Sequence, residues 1–206
     1  MGLFDKLKKN NETGGDAAVM QGFIEEYKPG ENLVKPDDEL LRFGEGMLPK
    51  PIVDFWKEYG FGEYGDGLIK VVDPRDYMNS LYSWLGGKDF SKIPLLVTAF
   101  GDIFYFRKLS DSENDMCMLD VHYRETVVCT DSYEDFFEGY ILDEGIRKEV
   151  LREDLCKQAV EKLGKLNHEE NFFFKPALCL GGGEDIKYVT KGNGAVHHQV
   201  LLQIDA

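Results

Sequence analysis

No apolar run in this 206-residue chain approaches the roughly 18 residues that a membrane span requires. The start of the chain also lacks the apolar core of a signal peptide, so a soluble protein of the cytoplasm is expected. Cysteine is sparse and scattered. Cys117, Cys129, Cys156 and Cys179 form no Cys-x-x-Cys pair, which argues against a zinc ribbon or a dithiol redox centre. Each has apolar neighbours and is expected to be a buried free thiol. No serine stands in a Gly-x-Ser-x-Gly elbow, and no two of His122, His168, His197 and His198 have the i, i+4 spacing of a helical zinc site. The sequence therefore calls for no catalytic residue, metal or cofactor. Positive charge is also short, with 24 Lys and Arg against 38 Asp and Glu and a net charge of −14. Such a field repels phosphate backbones, so direct binding of nucleic acid is disfavoured.

What is present in excess is acid, and it is concentrated. Residues 111 to 145 hold Asp111, Glu113, Asp115, Asp120, Glu125, Asp131, Glu134, Asp135, Glu138, Asp143 and Glu144 against Arg124 alone. This segment is either a solvated face that keeps the chain in solution or a landing patch for a basic partner. On the second reading, Asp111, Glu113, Asp115, Glu134, Asp135 and Glu138 are the candidate partner-binding residues.

Residues 1–16 run from a short basic amphipathic piece into Asn10-Asn11-Glu12-Thr13-Gly14-Gly15 and are expected to form a mobile tail. Val19, Met20, Phe23, Ile24 and Tyr27 have helical spacing, which predicts a helix over 17–27 ended by Pro29-Gly30. The same pattern predicts helices over 51–59 and 75–85, the second capped by Asp73 with Pro74 in its first turn. A short strand is expected over 67–72. From Pro94 the period changes to short β-prone runs over 95–100, 103–106, 116–123 and 126–129, with turn residues between them. Helices return over 132–140 and 154–163. Short strands are expected at 173–178 and 186–190, and residues 197–204 fit a closing helix better than a strand. The predicted class is α+β: an antiparallel meander of about four strands with helices before and after it. Its expected organisation is a first domain over 17–130 and a second over 131–206, packed as one compact unit.

Gly60, Gly62 and Gly65 have the offsets of a dinucleotide loop, but a helix precedes them and a strand follows, the reverse of that motif's context. Positive backbone dihedrals in a tight connection explain them better. Gly181-Gly182-Gly183 is followed by Glu184 and Asp185, which repel an anion, so a turn is expected there. Asp102 and Asp120 on neighbouring strands raise the thought of an acid and base pair with His122, but Asp102 after Gly101 is more simply a turn residue. His197 and His198 are adjacent and expected to point apart, one capping and one exposed.

Two ordered sets of rarer residues carry a resemblance. The first runs through Leu48-Pro49, Phe55-Trp56, Tyr59-Gly60-Phe61-Gly62, Tyr64, Asp66-Gly67-Leu68, Asp73-Pro74-Arg75-Asp76-Tyr77, Trp84-Leu85 and Thr98-Ala99-Phe100-Gly101-Asp102-Ile103. The second runs through Ala159, Leu163-Gly164-Lys165-Leu166, Glu170, Phe174-Lys175-Pro176-Ala177-Leu178, Leu180-Gly181-Gly182 and His197. Together they resemble a GAD-like domain followed by the C-terminal domain of type VI secretion DNase-immunity proteins. His198 stands where relatives more often have leucine. The matched residues, among them Gly60, Gly62, Asp66, Gly67, Pro74, Tyr77, Gly101, Asp102, Pro176, Gly181, Gly182 and His197, look like fold determinants. The resemblance implies a non-catalytic cytoplasmic antidote that binds a cognate toxin, typically a basic nuclease domain. The alternative is a regulatory or small-ligand-sensing module of the GAD-like family with no toxin partner.

Overall fold

A computed structural model of the chain describes residues 20–204. The expected tail and the opening residues of the first expected helix lie outside the described residues. Strands β3 (Lys92–Thr98), β4 (Ile103–Lys108), β5 (Asn114–Asp120) and β6 (Glu125–Thr130) follow one another as an antiparallel meander. Their alternation sends Leu96, Phe104, Phe106, Met116 and Met118 to one face, into a large aromatic core. Val97, Ile103, Tyr105, Cys117 and Leu119 go to the other face, against Leu81, Tyr82 and Leu201.

The sheet has six strands, not about four. β1 (Gly62–Tyr64) and β2 (Ile69–Val71) extend it beyond β3, so that the spatial order is the sequence order throughout. Each is only three residues long, too short for a period of two to be recognised. β2 lies inside the strand expected over 67–72 and pairs with β3 through Lys70 opposite Val97. β1 falls in the glycine-rich connection, where Gly60, Gly62, Gly65 and Gly67 all take positive φ. At Gly60 a side chain is excluded twice over, because φ is +94° and a Cβ would lie 2.6 Å from the Val34 carbonyl oxygen. The outer side of this end of the sheet is covered, since Gly30 N–H and Val34 N–H donate to Glu63 and Phe61 carbonyls, each at 2.8 Å. At the opposite end no strand among the described residues pairs with β6 on its outer side.

The helices before the sheet are α1 (Gln21–Glu26), α2 (Asp38–Met47), α3 (Lys50–Glu58) and α4 (Pro74–Trp84). α3 buries Ile52, Val53, Phe55 and Trp56 as its spacing predicts, and Asp73 caps α4 by accepting from Arg75 N–H at 2.9 Å. α2 is not foreshadowed. Gly44 and Gly46 weaken its helix signal, yet Gly44 is what lets it pack, since a Cβ there would lie 3.1 Å from the Trp56 ring. After the sheet come α5 (Tyr133–Glu138), α6 (Glu144–Glu149) and α7 (Glu153–Leu163). α6 is a second unforeseen helix, six residues long and capped by Asp143. Phe23, Phe55 and Phe104 share a single core with Phe136, Phe137 and Phe172, so both ends of the chain contribute to it.

The last forty residues form a two-stranded sheet of β7 (Glu170–Phe174) and β8 (Val189–Asn193), followed by α8 (Gly194–Gln203). β7 starts three residues before its expected span and β8 three residues after its own. Ile186–Tyr188 is instead a short helical turn capped by Asp185, which accepts from Lys187 N–H at 2.9 Å. The closing helix forms as expected, with Asn193 accepting from Val196 N–H at 3.0 Å. His197 and His198 do not divide into one capping and one exposed residue: both are buried, because α8 is covered from two sides, by α4 and by the β7–β8 pair. The cysteines are free, but only Cys117 and Cys156 are fully buried, Cys129 and Cys179 being half-buried.

Candidate functional site: an acidic margin and a buried arginine

The acidic segment folds so that its two halves meet. The turn between β4 and β5 carries Asp111 and Glu113, and Asn114 at its end accepts, through Oδ1, the Tyr133 backbone N–H at 3.0 Å. That bond sets the turn beside the first turn of α5. Ser132 caps α5 and the helix presents Glu134, Asp135 and Glu138. Asp111, Glu113, Asp135 and Glu138 are exposed and Glu134 is half-exposed. Lys108 meets Asp111 at 3.1 Å on the surface, where such a pair is weakly held. Asp115 differs from the rest. It is buried on β5 directly opposite Arg107 and bonded to it, with Nε to Oδ1 at 2.9 Å, so its charge is already satisfied and turned away from solvent.

A second concentration of charge lies inside the molecule. Asp102 is not a simple turn residue. It is fully buried, its Oδ2 accepts from Arg152 Nη1 at 2.8 Å, and its Oδ1 accepts from Val121 N–H at 3.1 Å. Arg152, itself buried and in the left-handed conformation with φ of 55°, also donates from Nε and Nη2 to Glu184 Oε1 at 3.0 and 2.9 Å. Asp120 lies 3.9 Å from the same guanidinium. The rings of Phe100 and Phe174 stand 5.7 and 5.9 Å from its centre. Burial raises the Asp102 carboxyl above its usual range, with Arg152 opposing. Burial raises Asp120 as well, and the neighbouring Asp102 charge adds to it. Burial works against the Arg152 charge too, but Asp102, Glu184 and Asp120 together override it and raise its pKa.

Three histidines surround this pair. His122 Nε2 donates to the Phe100 carbonyl at 2.8 Å and its ring meets the Phe174 edge. His198 Nε2 donates to the Gly101 carbonyl at 2.8 Å, while its Nδ1 lies 2.8 Å from Ser80 Oγ, so both ring nitrogens have partners. His197 stacks on Phe173 at 4.2 Å. Burial pushes all three down, His122 and His198 to about 4 and His197 to about 3. The fold thus brings Asp102, Asp120 and His122 together, but it commits both carboxylates to Arg152. Asp120 Oδ1 additionally accepts the backbone N–H groups of His122 and Tyr123, as an Asp at a turn does. What this arrangement does chemically is fasten the strand turns to the C-terminal segment. Asn171 Nδ2 donating to the Thr98 carbonyl at 3.1 Å, and Phe172 N–H donating to the Ala99 carbonyl at 2.8 Å, complete the seam.

Arg152 is absent from the residues that the sequence singles out, and Glu184 enters there only as an anion-repelling residue after the glycine turn. The only trace is indirect: a buried aspartate demands a cation, and nothing local supplies one. The remaining predicted fold determinants are placed as turns and caps. Gly101 and Gly181 take positive φ, Pro74 opens α4, and Gly182 packs so closely that a Cβ would lie 2.1 Å from the Pro176 carbonyl. Asp66 takes φ of 56° in the β1–β2 connection, and Tyr77 packs at the edge of the smaller core. Among the described residues no group of three or more His, Cys, Asp or Glu side chains is placed to hold a metal ion, and no helix is long and apolar enough to cross a membrane.

The fold and its two charged regions describe an α+β protein that presents acid outward and locks its halves together within. Residues 18–116 match the GAD-like domain, and residues 130–205 match the C-terminal domain of the type VI secretion immunity protein Tdi1. The chain thus matches a GAD-like domain followed by a Tdi1-type C-terminal immunity domain, and a role in immunity to a type VI effector is supported at that level. All of β6 but its last residue, Thr130, lies in the stretch between the two matched segments. The crystal structure of Atu4351 from Agrobacterium tumefaciens has the same fold, with a TM-score of 0.72 at 17% identity over 90% of this chain and 89% of that one. No curated protein sequence matches the chain.

Proposed function

We propose that this protein is an immunity protein that binds and neutralises a cognate toxin, a nuclease effector of type VI secretion, by covering the toxin's basic cleft with its acidic surface inside the producing cell. The Tdi1-type C-terminal domain supports the class of partner. The observation that carries the mode of binding is the Asn114–Tyr133 bond, which gathers Asp111, Glu113, Glu134 and Asp135 onto one margin of the sheet. A nuclease must attract phosphate and is typically basic at its cleft. A partner of net charge −14 is steered to that cleft and competes there with nucleic acid. The Arg152 seam holds the margin's supporting strands against the C-terminal segment without contributing a reactive group.

The reading expects a type VI effector to be encoded beside this gene, and expression of that effector in a sensitive host tests it. Co-expression of the protein is expected to restore growth and suppress DNA cleavage. Growth arrest that persists despite folded, abundant protein contradicts it.

A further inference from the structure

Among the described residues β6 is the one strand of the six-stranded sheet whose outer side is left open, and neither proline nor lysine guards it. Natural edge strands are blunted with proline, charged residues, bulges, short length or a covering segment. The opposite edge, β1, is three residues long and is covered by the chain around Gly30 and Val34. β6 by contrast is six residues long, Glu125–Thr130, with the sequence Glu-Thr-Val-Val-Cys-Thr. It has no proline and no lysine, and its one bulge, at Cys129 opposite Met116 and Cys117, lies towards its end and leaves the run from Glu125 to Val128 regularly paired. Val127 is 43% and Val128 50% exposed. Opposite Met118 and Cys117 respectively, they point to the two faces of the sheet. An added strand would therefore find open backbone groups and an apolar side chain on each face.

The charge along this edge identifies what fits it. From Asn114 to Asp135 the only basic residue is Arg124, and its guanidinium is engaged with the Leu201 and Ile204 carbonyls. Glu125 begins the strand, Asp131 follows it, and α5, which packs against β6, carries Glu134 and Asp135. A second copy of this chain brings the same acids to the same line and is repelled. A strand with lysine or arginine at its ends is attracted.

We infer that β6 is a docking edge, and that an extended basic segment of the partner toxin adds to the sheet there as a seventh strand. This inference rests on the proposed toxin partnership and specifies the contact by which it is made. Backbone hydrogen bonds to β6 supply the attachment, Val127 and Val128 pack on either side of the added strand, and the acids at the two ends set its polarity of charge.

The test is amide hydrogen exchange on the full chain, alone and with the effector encoded beside its gene, together with affinity measurements on Val127→Lys and Val128→Lys. Both side chains are solvent-facing, so thermal unfolding is expected to be unchanged, and unfolding curves verify that each variant is folded. In the complex, alternate amides of β6 are expected to exchange at least tenfold more slowly, and each lysine variant to bind at least tenfold more weakly. A complex that forms with β6 exchange unaltered and both variants binding within twofold of the parent overturns this inference and leaves the toxin partnership standing. Absence of any complex overturns the partnership itself. Protection of β6 in the chain alone, rising with concentration and accompanied by dimer in sedimentation, overturns the basic segment in favour of a second copy.

Discussion

Arg152 Nη1 stands 2.8 Å from Asp102 Oδ2 with both side chains almost wholly out of solvent, and the two residues lie fifty positions apart in the chain. The pair joins the β3–β4 turn to the start of α7, so it couples the sheet to the segment that carries the Tdi1-type domain. Removing one partner leaves the other buried and uncompensated. Arg152→Met is expected to cost about 3–5 kcal/mol in urea unfolding. Asp102→Asn combined with Arg152→Met is expected to cost less than the sum of the two single changes. Strict additivity in that cycle contradicts a fastening role for the pair.

Acid is predicted to loosen the same region. Burial lowers His122, His197 and His198 to about 4, 3 and 4, whereas an unfolded histidine titrates near 6.5. The folded state then binds fewer protons than the unfolded state between those values. The stability that the neutral rings contribute is complete above about pH 6.5 and is lost as pH falls towards about 4. The raised carboxyls of Asp102 and Asp120 act in the opposite sense at the acid end. His197→Phe keeps the stack on Phe173 and removes one titrating ring, so its unfolding free energy is expected to fall less steeply between pH 6.5 and 4 than the parent's. Parallel pH profiles for the two proteins contradict this assignment.

The glycine-rich connection offers a contrast between two kinds of constraint. Gly60 has positive φ and a Val34 carbonyl 2.6 Å from any added Cβ, whereas Gly67 has φ of +87° with its nearest neighbour at 3.8 Å. Gly67→Ala is expected to cost about 1–2 kcal/mol, the backbone strain alone. Gly60→Ala is expected to cost clearly more, because the Val34 backbone must also move. Chemical denaturation of the two variants checks the order, and equal losses contradict it.

Much of the architecture was legible because it repeats. Alternation over residues 95–129 marks four strands, and Asp73-Pro74 marks the start of α4 without reference to anything distant. β1 escaped because three residues carry no period, β2 is expected as a strand but not as a member of the meander, and α2 escaped because Gly44 serves its packing against Trp56 at the expense of helix propensity. The acidic margin was legible as composition, but not Asp115, whose partner Arg107 sits opposite it across the hairpin and turns an apparent surface charge into a buried pair. The seam was least legible of all. Asp102, Arg152 and Glu184 are brought together only by the packing of separate elements, and no local pattern anticipates such a meeting.

The claim that the acidic margin guides the protein onto a basic toxin is tested most directly by stopped-flow association with the effector encoded beside its gene. The parent is to be compared with the variant Asp111→Lys, Glu113→Lys, Glu134→Lys and Asp135→Lys across a range of salt concentrations. The account predicts an association rate at least tenfold lower for the variant at low salt, with the two rates converging as salt rises. Equal rates and equal salt dependence, with the variant still folded, contradict it.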